Sequence, residues 1–582
     1  MTDQASPPGQ EDSATALRRA ARLREAGDMA GAATVYRGLA KRHPGEAGIW
    51  AMLGDALRVS GDPAAAAAAL AEAAALAPDD SDIAIEWALA LRESGDAGAA
   101  LKALEGRALD DSARGLAVLA DALRQAGRPA DAMAPYRRLL EIEPGNVNVR
   151  ISLGACLQDT GDLDGAIACY EAALAREPDS AEALTNLGLA RAARGDLEAA
   201  MEILRRAAAL EPGNAETQCA LGAVLQKRGR AGDAARCFEH ATTVAPEDAR
   251  AWSNLGNARQ DQLRLDDALA AHDRAASLTP DDAQVHWNRA MTLLLSGDLT
   301  TGFAEYEWRR KTDDHAPPTH NSPLWEGGDP NGRRLLLLAE QGFGDAIQFA
   351  RYAPLMRARG ADIAIRCHAK LAGLFETLDG SPTLFATGAP LPPVDAHVPL
   401  MSLPHLLGTT VDTVPAGIPY LRAPADARRP PPSDGRRRIG LCWSGNPEHP
   451  DNPHRSVPFD AFAPLLARHD ADWRVLQFGP AAAEAAGHLP DDPAWTACLE
   501  GFGNTAAALE SCDLVVTIDT STAHLAGALG RPVWLLLKYA PDWRWMVGRE
   551  DSLWYPTVRL FRQAAPGDWT DVMARLETAL AA

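Results

Sequence analysis

The chain has 582 residues, 47% of them hydrophobic, and a formal net charge of −21. That length allows several domains at the usual ~100–200 residues each. The acidic balance argues against a nucleic-acid or anionic-membrane binder, which needs a basic surface. The eight cysteines (156, 169, 219, 237, 367, 442, 498 and 512) form no Cys-x-x-Cys pair. That speaks against zinc ligation and a disulfide framework, and for a reducing compartment. Residues 1–13 are polar and are expected to be disordered. No signal-peptide pattern and no run of ~18 apolar residues is present, so a cytoplasmic protein without membrane insertion is expected.

Residues 14–310 repeat. Pro44 and Pro78 are 34 apart, and Pro144, Pro178, Pro212, Pro246 and Pro280 keep that interval. Glycines recur at 27, 61, 95, 127, 161, 195, 229 and 297, with Leu263 in the place of one. A second small-residue register runs through Gly54, Gly154, Gly188, Gly222 and Gly256. This period resembles the tetratricopeptide repeat, two amphipathic helices per unit. Units of this kind stack into a superhelix, because one alone cannot bury its apolar face. The alanine run 64–69 is a helix former. Asn186, Asn254 and Asn288 share one slot on the first helices. Amides there can donate to and accept from an extended peptide. They resemble the asparagine ladder of O-linked N-acetylglucosamine transferases, which implies acceptor-peptide binding; a consensus structural role is the alternative. The segment 297–310, with Phe303, Tyr306 and Trp308, reads as a capping helix whose aromatics dock on the next domain. Residues 311–332 read as a linker.

The remainder reads as α/β, in two halves at 333–423 and 438–582 joined by a Pro/Arg-rich hinge at 424–437. In the first half, strand 334–339 leads through Gln341, Gly342, Gly344 and Asp345 into a helix at 346–359, then a strand at 361–366. Such a strand–helix–strand unit belongs to a parallel sheet. The glycines permit a close backbone approach, but the dinucleotide fingerprint and the P-loop lysine are missing. In the second half, strands are expected at 438–443, 473–478, 515–518 and 533–537. Between the last two stands Asp519-Thr520-Ser521-Thr522-Ala523-His524-Leu525. A helix starting there offers free N–H groups and the positive end of its dipole to a phosphate. The simpler reading is a capped helix with Ser521 or Thr522 as N-cap.

The Gly-Asp turn at 344–345, a helix carrying Pro354, and the second motif with Ser521 for the usual glycine resemble the ADP-heptose:lipopolysaccharide heptosyltransferases. That resemblance implies a GT-B fold, with Asp345 as catalytic base. It assigns nucleotide-sugar contacts to Gln341, Gly344, Asp519, Thr520, Ser521, Thr522 and His524, and to Arg455 as a phosphate-binding cation. Residues 501–505 resemble the stretch that contacts the base. The last helix, 568–581, is expected to cross back to the first half. The Trp-rich segment 541–545, with Trp554 and Tyr555, is a candidate lining of the cleft. Asp345 as a helix N-cap, Arg455 as a solvated charge and the Trp-rich segment as core are the structural alternatives.

Glycosyl transfer needs a base for the acceptor hydroxyl and positive groups for the leaving phosphate. No Asp-x-Asp stands at a suitable strand end, so metal-independent transfer is expected, with no cofactor beyond the nucleotide-sugar co-substrate. The layout is similar to bacterial flagellin glycosyltransferases, whose donors are CMP-activated nonulosonic acids. It implies O-glycosylation of Ser or Thr in a flagellin-like acceptor held by the repeats. A scaffold with an inactive transferase half and an envelope saccharide glycosyltransferase are the alternatives.

Overall fold

The computed structural model describes residues 12–582, apart from 108, 110, 111, 313–315, 381, 392, 434, 450, 490 and 491. The expectation for the N-terminus thus lies, up to residue 11, outside the described residues. Two compact units divide at residues 224 and 225.

The first unit is built of paired helices, such as Ala47–Val59 with Pro63–Leu76 and Val147–Asp159 with Leu163–Leu174. The glycines at the end of the first helices take the left-handed conformation, for instance Gly61 at φ +90°. The Asp that follows caps the next helix: Asp62 accepts from the Ala65 N–H and Asp162 from the Gly165 N–H. A Gly-Asp dipeptide thus ends one helix and starts the next. The small-residue register is where the helices of a pair touch. A Cβ on Gly54 would lie 2.4 Å from Leu70 Cγ, and one on Gly188 2.5 Å from Leu204 Cγ.

The second unit continues the same pattern with the helices Ala231–Val244, Ala249–Asp261, Leu265–Leu278, Ala283–Ser296 and Leu299–Tyr306. Leu263, standing where other repeats have glycine, keeps the left-handed conformation at φ +58°. Two parallel sheets follow. The first has β1 (Arg334–Leu338), β2 (Asp362–Cys367), β3 (Thr383–Ala386) and β4 (Ala396–Pro399) in the order β3-β2-β1-β4. The second has β5 (Arg438–Cys442), β6 (Asp472–Val475), β7 (Leu514–Ile518), β8 (Val533–Leu537) and β9 (Val558–Arg562) in the order β6-β5-β7-β8-β9. This is the helical array followed by two Rossmann-like halves that the sequence led us to expect.

The inner strands β7 and β8 are apolar on both faces, which accounts for their hydrophobic runs. Val515, Leu535 and Leu537 share a core with the first half, whereas Val516, Ile518 and Leu536 face a separate core with Trp443 and Phe462. The last helix, Thr570–Ala581, contributes Val572 and Leu576 to that second core. It stays with its own sheet instead of crossing back to the first half: it packs on β9, and its apolar residues join the core that Val516, Ile518 and Leu536 face. The helix expected at 346–359 is two, Phe343–Phe349 and Tyr352–Ala358. Pro354 has no N–H to offer the Ala350 carbonyl, so the helix breaks there.

The aromatics at the end of the repeats do dock on the α/β region. Phe303 meets Trp543 edge-on at 5.6 Å, and Tyr306, Trp545 and Trp554 are buried in the same core. Trp543, Trp545 and Trp554 are therefore core, each such side chain contributing roughly 1.5–3 kcal/mol over exposure, and Pro541, Asp542 and Trp543 also line a cavity. A buried ion pair reinforces the seam: Arg309 Nη2 lies 3.0 Å from Glu340 Oε1, and Arg309 also donates to Ser402.

Candidate active site

The helices Phe343–Phe349 and Ser521–Ala528 start at the carboxyl ends of β1 and β7 and pack on each other, which brings the two sequence motifs together. Their contact is tight at Gly344, where a Cβ would lie 2.8 Å from His524 Cδ2. The close approach that glycine permits at this turn is thus to an imidazole of the other half.

Asp345 is engaged at both oxygens. Oδ2 accepts the Gly342 N–H at 2.9 Å, and Oδ1 lies 2.5 Å from Arg544 Nη2. The helix N-cap is Gly342 and not Asp345, which stands at the third helical position, bonds back to the Gly342 N–H and makes a cross-half ion pair. Arg544, in the Trp-rich segment, also donates to Gln348 Oε1 at 2.8 Å and to Asp542 at 2.9 Å. Burial works against its charge, but Asp542 and Asp345 outweigh it and hold the guanidinium protonated. Neither Arg544 nor Asp542 stood out in the sequence; an Arg between two tryptophans, three residues after Pro541, was the available signal.

His524 is buried, with Nδ1 3.0 Å from Tyr555 Oη and its ring stacked with Trp545 at 5.4 Å. Burial, with Arg544 nearby, pushes its pKa down to about 3. At neutral pH it is uncharged and brings no positive charge to a phosphate. Its Nε2 faces Asp519 Oδ1 at 3.8 Å. Asp519 moves the other way, to about 7, through burial first and the negative charge of Asp542 second, against Arg544 and Arg455. Asp542 itself falls below the usual carboxylate range, because Arg544 outweighs its burial. Gln341, left-handed at φ +57°, donates its amide to Tyr306 Oη at 2.9 Å and so ties the β1 turn to the last repeat helix.

Two spaces meet at the end of β7. A cleft of about 520 Å³ is lined by Thr520, Ser521 and Thr522, by Gln477 and Phe502 of the second half, and by Phe343 and Lys370 of the first. The helix N-cap is Thr520 rather than Ser521 or Thr522, and its side chain makes no capping bond. The extended Thr520 backbone places the following hydroxyls on the first turn instead. Buried Cys442 sits under them, its thiol pushed up by burial and drawn back by the Thr517, Thr520 and Thr522 hydroxyls. A smaller cavity of about 250 Å³ is lined by Arg455, Asp519, Lys538 and Asp542, with Gln260 and Met291 from the repeat helices. Arg455 Nη1 donates to the Asp519 carbonyl at 3.2 Å. Its guanidinium also crowds Gly445, where a Cβ would lie 2.7 Å from Arg455 Nη2. Gly445 lines the larger cleft, so Arg455 stands at the wall between the two spaces.

On the repeats, Asn288 donates to Ser253 Oγ at 2.9 Å and accepts from the Gln284 amide at 3.0 Å. Asn254 is half-buried on the neighbouring first helix, and Asn186 is half-buried on a first helix of the other unit. Among the described residues no helix is long and apolar enough to cross a membrane.

Tetratricopeptide-repeat family models match residues 23–85, 113–156, 157–215, 191–258 and 253–307. The chain carries tetratricopeptide repeats, and these matches end before β1. Protein FlbA of Caulobacter vibrioides is 27% identical over 328 residues, 50% of this chain and 54% of FlbA. The chain thus spans about half the length of that curated relative. Among solved structures, the MamA protein is 26% identical, with a TM-score of 0.26 over 30% of this chain and 94% of MamA. A thermophilic TPR protein of Thermus thermophilus is 23% identical, with a TM-score of 0.29 over 31% of this chain and all of that one.

Proposed function

We propose that this tetratricopeptide-repeat chain is a protein O-glycosyltransferase. A nucleotide-sugar binds in the larger cleft, and the sugar passes to Ser or Thr of a polypeptide, flagellin-like in the leading case, brought by the repeats. Repeats of this kind commonly hold peptide or protein partners. One observation carries the reading: a cleft at the carboxyl ends of two parallel sheets, walled by both halves and floored by the first turn of a helix. Open α/β sheets place ligands at strand ends, and helix starts favour phosphates. Its volume falls within the ~300–1,000 Å³ usual for small-molecule sites. Thr520, Ser521 and Thr522 would meet the phosphates and Lys370 would close on them from the first half. The family resemblance gives the base role to Asp345, whose carboxylate here is held by Arg544 and Gly342. No metal is required by this scheme.

The test is titration calorimetry of the full chain with CMP, UDP, ADP and GDP. The reading expects one of them to bind at one site, with affinity lost in Thr522→Val. Binding of none, or binding indifferent to that substitution, would remove the donor site from this cleft.

A further inference from the structure

We infer that the smaller cavity admits the acceptor's Ser or Thr side chain, and that Asp519 is the carboxylate that takes its proton. This rests on the transferase reading and names the acceptor end of the same site.

Four observations support it. First, Asp519 and Thr520 are consecutive at the end of β7, yet they line different spaces, the smaller cavity and the larger cleft. A hydroxyl at Asp519 therefore stands one residue away from a phosphate at Thr520, Ser521 and Thr522. Second, the repeats contribute to the wall of the cavity that Asp519 lines, through Gln260 and Met291, so a polypeptide carried on those helices lies next to it. Third, the sizes differ in the right sense. About 520 Å³ lies within the ~300–1,000 Å³ of a small-molecule site such as a nucleotide-sugar needs, and about 250 Å³ lies below it. Fourth, the other candidate base, Asp345, already has a partner on each oxygen.

The charges around Asp519 fit the task. Asp542 and Arg544 face it from the loop after β8, Arg455 from the loop after β5, and His524 from its own helix. Lys538 on the cavity wall is paired with Asp451 at 2.8 Å, and Asp261 of the repeats faces that pair. A carboxyl poised near 7 is well matched to general-base work at neutral pH.

In the transfer step the acceptor oxygen bonds to the anomeric carbon of the sugar. The bond from that carbon to the donor phosphate oxygen breaks, its electron pair leaving on the phosphate. The hydroxyl proton passes to Asp519.

The experiment uses the full chain, purified flagellin, and CMP-pseudaminic acid, CMP-legionaminic acid and UDP-N-acetylglucosamine in turn, with transfer read by intact mass. Asp519→Asn is expected to lower kcat by about 10²–10⁴-fold and to abolish the rise of rate with pH around 7. Asp519→Glu keeps a rise with pH at reduced rate. Met291→Trp, which fills the cavity from the repeat side, raises the KM for flagellin and not for the donor. A pH rise that survives in Asp519→Asn, or an unchanged flagellin KM in Met291→Trp, overturns the inference while leaving the transferase reading intact. A wild-type chain that transfers from none of the three donors overturns both.

Discussion

Asp345 and Arg544 lie 199 residues apart in the chain, and Oδ1 of one sits 2.5 Å from Nη2 of the other. The carboxylate belongs to the helix after β1 and the guanidinium to the loop after β8, so the pair fastens the first half to the second. Breaking a fully buried pair costs about 3–5 kcal/mol; Asp345 and Asp542 keep some access to water, so the cost here falls below that range. Arg544→Leu is therefore expected to lower the thermal unfolding midpoint of the chain, and Arg544→Lys to lower it less. Equal midpoints in wild type and Arg544→Leu would show that the fastening contributes nothing.

Glycines inside the repeat helices divide into two kinds. Gly38 lies exposed in the helix Met29–Arg42, with nothing within 4 Å of an added Cβ. Gly38→Ala should stabilise by about 0.5–1 kcal/mol, the helical cost of glycine. Gly188 is pressed against Leu204, so Gly188→Ala should destabilise by about 1–3 kcal/mol through overpacking. Chemical denaturation of the two variants gives opposite signs if the register works as described.

His272 occupies the position that faces Gly256, fully buried, with neither ring nitrogen hydrogen-bonded. Burial lowers its pKa from 6.5 to about 4. Between those values the unfolded chain binds a proton that the fold refuses, so stability falls as pH drops from about 6.5 towards 4, by roughly 3 kcal/mol in all. His272→Phe should remove that part of the slope and raise stability at every pH. Unfolding midpoints of both proteins from pH 4 to 8 check this; parallel curves would refute it.

Lys370 is the cation that the first half presents to the larger cleft. A charge-assisted hydrogen bond to a phosphate is worth about 1.5–3 kcal/mol, so Lys370→Ala should weaken nucleotide binding by roughly tenfold or more. Calorimetry measures it directly, and an unaltered affinity would place the phosphates elsewhere.

The repeats were legible because their constraints are local and recur. A left-handed glycine followed by a capping Asp leaves the same dipeptide at Gly61-Asp62 and Gly161-Asp162. The central strands were legible as apolar runs. The edge strands β3, β4 and β9 were not, because they carry no apolar run: polar Thr383, His397, Arg559 and Arg562 stand within them. The two turns, at Gly344-Asp345 and at Asp519 to His524, were found from their motifs, but the fate of each side chain was not. That Gly344 makes room for an imidazole, that Gln341 answers to Tyr306, and that Asp345 is claimed by Arg544 are contacts between residues far apart in the chain. Nothing local in the sequence encodes them. Nor did the sequence separate Asp519 from Thr520, neighbours that line different spaces.

The measurement closest to the central claim is the intact mass of flagellin co-expressed with the full chain. Mass increments of whole sugar residues are expected, and they disappear when Asp519→Asn replaces the wild type. An acceptor of unmodified mass beside the wild-type chain, with a nucleotide-sugar supply shown to be present, would contradict it.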